Sequence, residues 1–301
     1  MNKNRIRILI IPISALIILS ACHKPLKSSS GLPEQPLTII TYNVLYGFNH
    51  QNNMKEGAEW IKNMNPDVLA LQELNDFNEQ KLSELARQWN HNYAVILKED
   101  GFPVGLTSKT PIEVIAKRLD GFHHGYLHGK TAGIDFLVIH LSPHDYLFRQ
   151  KEADMLSEKI QKLLAEKRHV VALGDFNSFS ASDKSRTDAK TELLERQKKG
   201  KNLNNGKFDY SVMKRFKDAG LIDICDKMLP DTDADRFSFP TKIVDYAENE
   251  EDQKKFARRI DYIWMDANLA KNATQAFVPR DEVLNSISDH FPVIVTLKGS
   301  R

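Results

Sequence analysis

The sequence predicts an α/β chain whose helices cover mixed β-sheets, and three observations carry that prediction. Short apolar runs of strand length recur along it, stretches with helical apolar spacing fall between some of them, and the two kinds do not alternate strictly. The strand runs are Leu37–Tyr42, Val68–Leu71, Tyr93–Leu97, Ile134–Ile139, Val170–Leu173, Ile260–Met265 and Val293–Leu297, all rich in β-branched or aromatic residues. Of the helical stretches, Met54–Met64 stops before Asn65-Pro66. Asn78–Asn90 carries Leu82, Leu85 and Trp89, and Tyr146–Lys167 carries Met155, Leu156, Ile160, Leu163 and Leu164 at helical spacing. Around Gly105–Asp120 and Gly125–His140 strands follow one another without a helix, which calls for antiparallel pairs within mixed sheets. Ser178–Phe208 and Pro230–Arg258 are long and polar and read as loops or insertions on the scaffold. Trp60, Trp89 and Trp264 fall on periodic or strand positions, which predicts core packing.

The N-terminus reads as an export signal. Lys3, Arg5 and Arg7 precede an uncharged apolar run from Ile8 to Leu19, too short to span a hydrocarbon core of ~30 Å as a helix. It ends at Leu19-Ser20-Ala21-Cys22, which resembles a lipobox and makes Cys22 the expected lipidation site and first mature residue. An ordinary secretory signal cut near Ala21 is the alternative. His23–Pro36, rich in Lys, Ser, Gly and Pro, has the composition of a solvated tether. The expected organisation is a lipoprotein signal over residues 1–21, a tether over 22–36 and one large domain over 37–301. The chain is then exported and membrane-anchored through Cys22, at the outer membrane or cell surface or on the periplasmic side, as a monomer. Cys225 has no disulfide partner once Cys22 is modified, so stability must come from the apolar core. Removing the three leader cations from the formal charge of +2 leaves −1, which does not mark a nucleic-acid-binding surface. The local cluster Lys198, Lys199, Lys201 and Lys207 reads as a solvated loop face.

Candidate chemistry sits where strand runs stop. Asn43 follows Leu37–Tyr42, Glu73 follows Val68–Gln72, His140 follows Ile134–Ile139, and Asp175 with Asn177 follows Val170–Gly174, while Asp289 and His290 stand just before the last strand. Strand ends hold polar groups rigidly at one rim without burying them unpaired. Each residue alone has a plain structural role, as turn former, helix cap or solvated terminus. Together they form a set of carboxylates, amides and imidazoles with no cysteine nucleophile and no Gly-x-Ser-x-Gly elbow, which suits a hard divalent cation and a phosphate ester.

The set resembles the endonuclease/exonuclease/phosphatase superfamily. The resemblance rests on Thr41-Tyr42-Asn43-Val44, Leu71-Gln72-Glu73, the run Gly105 to Ile112, Ile139-His140, Gly174-Asp175-Phe176-Asn177, Arg259-Ile260-Asp261-Tyr262 and Ser288-Asp289-His290, in that order. It implies a DNase I-like fold, a four-layer sandwich of two packed mixed sheets flanked by helices. It further implies Glu73 as the main metal ligand, with Asn43 holding the cation through hydrogen bonds or water and Asp289 assisting metal or water placement. Asp175 would orient or deprotonate the attacking water, Asn177 would meet the phosphate or that water, and His290, oriented by Asp261, would meet a phosphate oxygen or act as base. His140 would face the leaving group. Mg2+ is the expected cofactor, with Mn2+ or Ca2+ as substitutes.

The activity so implied is metal-dependent hydrolysis of a phosphodiester or phosphomonoester outside the cytoplasm. A nuclease acting on extracellular or periplasmic nucleic acid, and an inactive binding lipoprotein on the same fold, are the alternatives. Leu45 stands where abasic-site endonucleases of this superfamily have Asp, which counts against the DNA-repair branch. His123, His124 and His128 read as a polar substrate-side loop, and a zinc site there lacks the ligand spacing that would define it. Lys130, Arg149, Arg236 and Lys242 are unassigned cations that could bind substrate phosphate, though a solvated surface is the commoner fate.

Overall fold

A computed structural model describes residues 35–197 and 202–299. The leader, Cys22, all of the tether but its last two residues, and Lys198, Lys199 and Lys201 lie outside the described residues. The strands are β1 (Leu37–Asn43), β2 (Val68–Gln72), β3 (Tyr93–Ile96), β4 (Gly105–Ser108), β5 (Glu113–Arg118), β6 (Tyr126–Thr131), β7 (Ile134–His140) and β8 (His169–Asp175). A small hairpin, β9 (Leu203–Asn204) with β10 (Lys207–Phe208), follows, and then β11 (Ile222–Asp223), β12 (Asp261–Met265), β13 (Ala273–Phe277) and β14 (Val293–Leu297). One six-stranded sheet runs β13-β14-β1-β2-β4-β3 and the other β11-β12-β8-β7-β6-β5. Each sheet holds one parallel pair, β1 with β2 and β7 with β8, among antiparallel neighbours.

Strand alternation decides the layers. In the second sheet Phe136, Val138, Val171, Leu173 and Ile263 join the core shared with the first sheet. Their neighbours Leu137, Ile139, Val170, Ala172 and Tyr262 turn to the other face. There they meet Leu156, Ile160 and Leu163 of a long helix, Tyr146–Ala165, and Val212, Met213 and Phe216 of the helix Ser211–Asp218. With a side-chain period of two, one register buries both faces, as two-sided strands require. On the far side of the first sheet, Trp60 and Ile61 from the helix Met54–Met64 and Leu82 and Leu85 from the helix Glu79–Ala86 join its core. The result is the expected helix–sheet–sheet–helix sandwich.

Most predicted elements appear within a residue or two of their expected bounds, and all three tryptophans are buried. The two polar stretches are a correction. They contain the short helices Lys184–Asp188, Thr191–Gln197, Asp233–Arg236 and Glu250–Phe256, and they close over a third apolar cluster of Phe179, Leu193, Phe208, Phe239 and Ile260. Helices of four to seven residues are too short to show periodicity, which explains why they read as loops. Arg149 and Arg236 also depart from the expected solvated surface. Arg149 is buried and donates to Ser142 and Ser178, and Arg236 is buried beside Asp226 and three carbonyl oxygens.

Candidate active site

The register places both parallel pairs in step. Asn43 lies opposite Gln72, His140 opposite Asp175, and Asp175 opposite Asp261 on β12. Three sequence-distant polar residues therefore end their strands side by side in the second sheet, facing Asn43 and Glu73 of the first. Gly174 makes this alignment achievable. Its φ is +139°, and a Cβ there would stand 1.8 Å from the Ile139 carbonyl oxygen.

Asn43 is the hinge between the two sheets' contributions. Its Nδ2 donates to Glu73 Oε1 and to Asp175 Oδ2, both at 3.1 Å, while its Oδ1 accepts from the Leu45 amide. The amide thus spaces two carboxylates that would otherwise repel. Glu73 also accepts from the Tyr46 amide at 3.4 Å and sits at φ +59°. Leu45 through Gln51 all have positive φ, a left-handed turn that carries Tyr46 to the cleft rim. Such runs cost free energy in L-residues and persist where surrounding structure holds them, often at functional sites.

His290 enters from the loop before β14. Its Nδ1–H donates to Asp261 Oδ2 at 2.8 Å, which leaves Nε2 directed at Asp175 Oδ2 and Asp289 Oδ1, each 3.9 Å away. Two serines hold this geometry. Ser288 Oγ donates to the Asn43 carbonyl and accepts from the His290 amide, and Ser238 Oγ accepts from the Ile260 and Asp261 amides. Ser288 belongs to the quoted Ser-Asp-His run, whereas nothing in the sequence marks Ser238. The Phe239 ring packs edge-on against His290, with centroids 4.9 Å apart.

His140 Nε2 lies 3.5 Å from Asp175 Oδ2 and 4.0 Å from Glu73 Oε1. Its ring stacks on His124 at 4.3 Å, His124 meets His123 edge-on, and His123 in turn meets His144 edge-on. Glu152 ties these loops together by accepting from the His123 and Ser142 amides, both at 2.9 Å. The expected grouping of His123, His124 and His128 is thus half right. His123 and His124 line the cleft, but His128 is buried in β6 against Asp135. Asn177, at φ +47°, gives its amide N–H to Asp175 Oδ1 and its Nδ2 to the Leu141 carbonyl, so it closes the turn after β8.

The electrostatics are those of crowded carboxylates. Burial first, and then the Asp289 charge, raise the Glu73 carboxyl above its ordinary range. Burial and the neighbouring Asp261 charge raise Asp175, and burial raises Asp289. For His290 burial favours the neutral ring, but Asp261, Asp289 and Asp175 outweigh it and hold the imidazole up at about 10. His140 is pushed well down by burial and by the neighbouring imidazoles. Four carboxylates thus share one imidazolium, a field that a divalent cation would neutralise. The residues present fit such an ion, with Glu73 and Asp289 partly open to the cleft. Among the described residues one trio, Asp175, Asp261 and His290, has ligand atoms all within 4.8 Å of one another. The hydrogen bond between His290 and Asp261 and the pairing of Asp261 with Asp175 across β12 and β8 account for that closeness without an ion.

The cleft above these groups encloses about 930 Å³. All eight predicted polar residues other than the lipidation site meet here or directly behind it. Of the unassigned cations, Lys242 pairs with Glu282, and none of Lys130, Arg149, Arg236 and Lys242 lines the cleft.

Comparison with known proteins agrees with this arrangement. The model of the Endonuclease/Exonuclease/phosphatase family matches residues 40–290. Among solved structures, an AP endonuclease from Archaeoglobus fulgidus superposes with a TM-score of 0.67 at 19% identity, covering 87% of this chain and 99% of that one. A 3′ phosphatase from Neisseria bound to a product DNA hairpin gives 0.66 at 20% identity, covering 87% and 99%. A 3′-5′ exonuclease from Neisseria meningitidis gives 0.62 at 19% identity, covering 87% and 100%. A search of curated proteins finds no significant match. With the strand-end residues in place and the family pattern spanning most of the sequence, the chain belongs to the endonuclease/exonuclease/phosphatase family.

Proposed function

We propose that this chain is a divalent-cation-dependent phosphoesterase that hydrolyses its substrate by direct attack of water, outside the cytoplasm and tethered by lipid at Cys22. The observation that carries the hydrolytic reading is the convergence of six separate segments on one rim, where four carboxylates share a single imidazolium. A bound cation of Mg2+ type, or Mn2+ or Ca2+ in its place, supplies neutralisation of the phosphate and of the charge that develops on its oxygens. Glu73 and Asp289 are the residues that would hold it. Asn43 keeps Glu73 and Asp175 apart and aligned. Asp175 orients the attacking water and takes up its proton, and His290, held as the imidazolium with Nε2 3.9 Å from Asp175, meets a phosphate oxygen. Asp261 holds the His290 ring with Nε2 towards the cleft. Asn177 fixes the turn that presents Asp175, and His140 faces the leaving oxygen.

A nuclease is the second reading, because the structural neighbours are an AP endonuclease, a 3′-5′ exonuclease and a DNA-bound 3′ phosphatase. A formal charge of only +2 over 301 residues weighs against a polyanion as the preferred substrate. The deciding experiment is a metal-supplemented hydrolysis panel of bis-p-nitrophenyl phosphate, DNA, RNA, inositol phosphates and sphingomyelin, with EDTA and Asp175→Ala as controls. Turnover lost in both controls is the expected result. Turnover that survives EDTA removes the metal, and turnover that survives Asp175→Ala removes the assigned site. The anchor has its own test: Cys22→Ser is expected to release the chain from membranes, and a variant that still sediments with them contradicts lipidation there.

A further inference from the structure

One wall of the cleft is built by the two inserted segments and carries Arg196, Tyr246 and Arg258. Their guanidinium groups are held on aromatic rings, as is that of Arg280, which stacks on Phe237 and Phe291 but does not line the cleft. Arg168, Arg186, Arg215, Arg236 and Arg259 all pair with carboxylates. Arg258 instead lies 4.2 Å over the Phe239 ring, gives one N–H to the Phe256 carbonyl and another to the Tyr246 hydroxyl. Arg196 lies 3.3 Å over the Tyr246 ring. Among the described residues no carboxylate pairs with either. Stacking and neutral acceptors orient a guanidinium without cancelling its charge, and leave several of its five donors for an incoming anion.

Phe239 links this wall to the chemistry. It touches His290 at 4.9 Å on one side and Arg258 at 4.2 Å on the other, which puts the Arg258 guanidinium within 9.1 Å of the His290 ring. A phosphate over the carboxylate cluster and a second anionic group on Arg258 would lie close enough together to belong to one small molecule. The cleft volume of about 930 Å³ falls within the ~300–1,000 Å³ range of small-molecule sites, and a formal charge of only +2 gives a polynucleotide little net attraction.

We infer that the cleft takes a compact phosphoester carrying a second phosphate, with Arg258 and Arg196 as the seat of that second group. The inference rests on the phosphoesterase reading of the carboxylate cluster, and it is tested by binding, which does not require turnover. Calorimetric titrations of the wild type, Arg258→Gln and Arg196→Gln, in the presence of Ca2+, compare adenosine 3′,5′-bisphosphate with adenosine 5′-monophosphate, adenosine 3′-monophosphate and a single-stranded oligonucleotide. The bisphosphate has its two anionic groups on opposite sides of one sugar ring. The wild type is expected to bind the bisphosphate at least tenfold more tightly than either monophosphate. That ratio should collapse to within about twofold in Arg258→Gln and shrink in Arg196→Gln, with the melting temperatures of both variants reported alongside. Equal affinity for mono- and bisphosphates in the wild type overturns the inference, as does a preference that survives in both variants. An oligonucleotide bound tenfold more tightly than the bisphosphate overturns the compact substrate. A retained bisphosphate preference without metal-dependent hydrolysis of any ester would sink the phosphoesterase reading and leave the anion seat standing.

Discussion

At the end of the sandwich where β1, β2 and β8 begin, the carboxylates are well supplied with donors. Asp67 accepts from the Thr38 amide and from Lys109, and Asp266 accepts from the amides of Val170, Asn268 and Leu269. Asp135, at the start of β7, accepts from Arg168 and His128. At the end where the same strands stop, Glu73, Asp175, Asp261 and Asp289 crowd together around one imidazolium. The buried Asp261 Oδ1 and His140 Nδ1 have no protein partner there, and a left-handed turn runs from Leu45 to Gln51. The first end pairs its carboxylates with donors, although the buried His128 Nδ1 has no protein partner there, and the second crowds four carboxylates in an arrangement that a bound cation would relieve. Unsatisfied charge and strained backbone together locate function more sharply than residue type does, since Asp and His occur at both ends.

The largest effect is expected where the catalytic end depends on one backbone position. Gly174→Ala places a methyl 1.8 Å from the Ile139 carbonyl oxygen, in a φ that L-residues rarely adopt, so β7 and β8 must part. The loss should exceed about 4 kcal/mol and show as failure to give soluble, cooperatively melting protein. A variant that folds and melts like the wild type would mean that the aligned ends of β7 and β8 are not tightly joined.

A matched pair of isosteric changes then opposes the two ends. Asp175→Asn should lower kcat by roughly a thousandfold while leaving the melting temperature unchanged or higher, because it removes a buried charge that its neighbours repel. Asp135→Asn should do the reverse. It strips the charge from a buried partner of Arg168 and His128, costs about 3 kcal/mol, and leaves kcat within threefold. Thermal melts and steady-state kinetics on both variants check the comparison, and it breaks if the stability loss falls on Asp175.

Much of this division could be read before the structure, but only where local signals carried it. The strand-end positions of Asn43, Glu73, His140 and Asp175 were legible because a strand run followed by a polar residue is a local pattern. Met54–Met64 and Val293–Leu297 were legible through periodicity. The run from Gly105 to Ile112 was legible as a family piece, yet its work is structural. Thr107 accepts from Trp89 and meets His91, and Ser108 and Thr110 meet Thr131 on the other sheet. The rest depended on long-range contact. Nothing local tells that Ser238 braces Asp261, that Phe239 separates His290 from Arg258, or that His123 and His124 part company with His128. The two insertions hid their fold because their helices are short and their shared core assembles residues from Phe179 to Ile260.

The smallest expected effect is a difference in pH dependence between the two ends. His91, at the structural end, is fully buried between the Thr107 hydroxyl at 2.7 Å and the Pro66 carbonyl at 2.8 Å. The carbonyl can only accept, so Nε2 carries the proton and Nδ1 accepts, and burial pushes the ring down to about 4. Between about 6.5 and about 4 the unfolded chain binds a proton here that the folded chain does not, so stability falls as pH falls through that window, by roughly 3 kcal/mol at most. Glu152, behind the imidazole loops, has the opposite sign. Burial raises it to about 7, so from about 4.5 to about 7 the folded chain holds a proton that the unfolded chain has lost, and stability falls as pH rises. Urea unfolding from pH 4 to pH 8 on the wild type, His91→Gln and Glu152→Gln should therefore give difference curves of opposite slope. Slopes of the same sign would mean that the two ends do not differ in how they bind protons, and the contrast between a satisfied end and an unsatisfied one would rest on geometry alone.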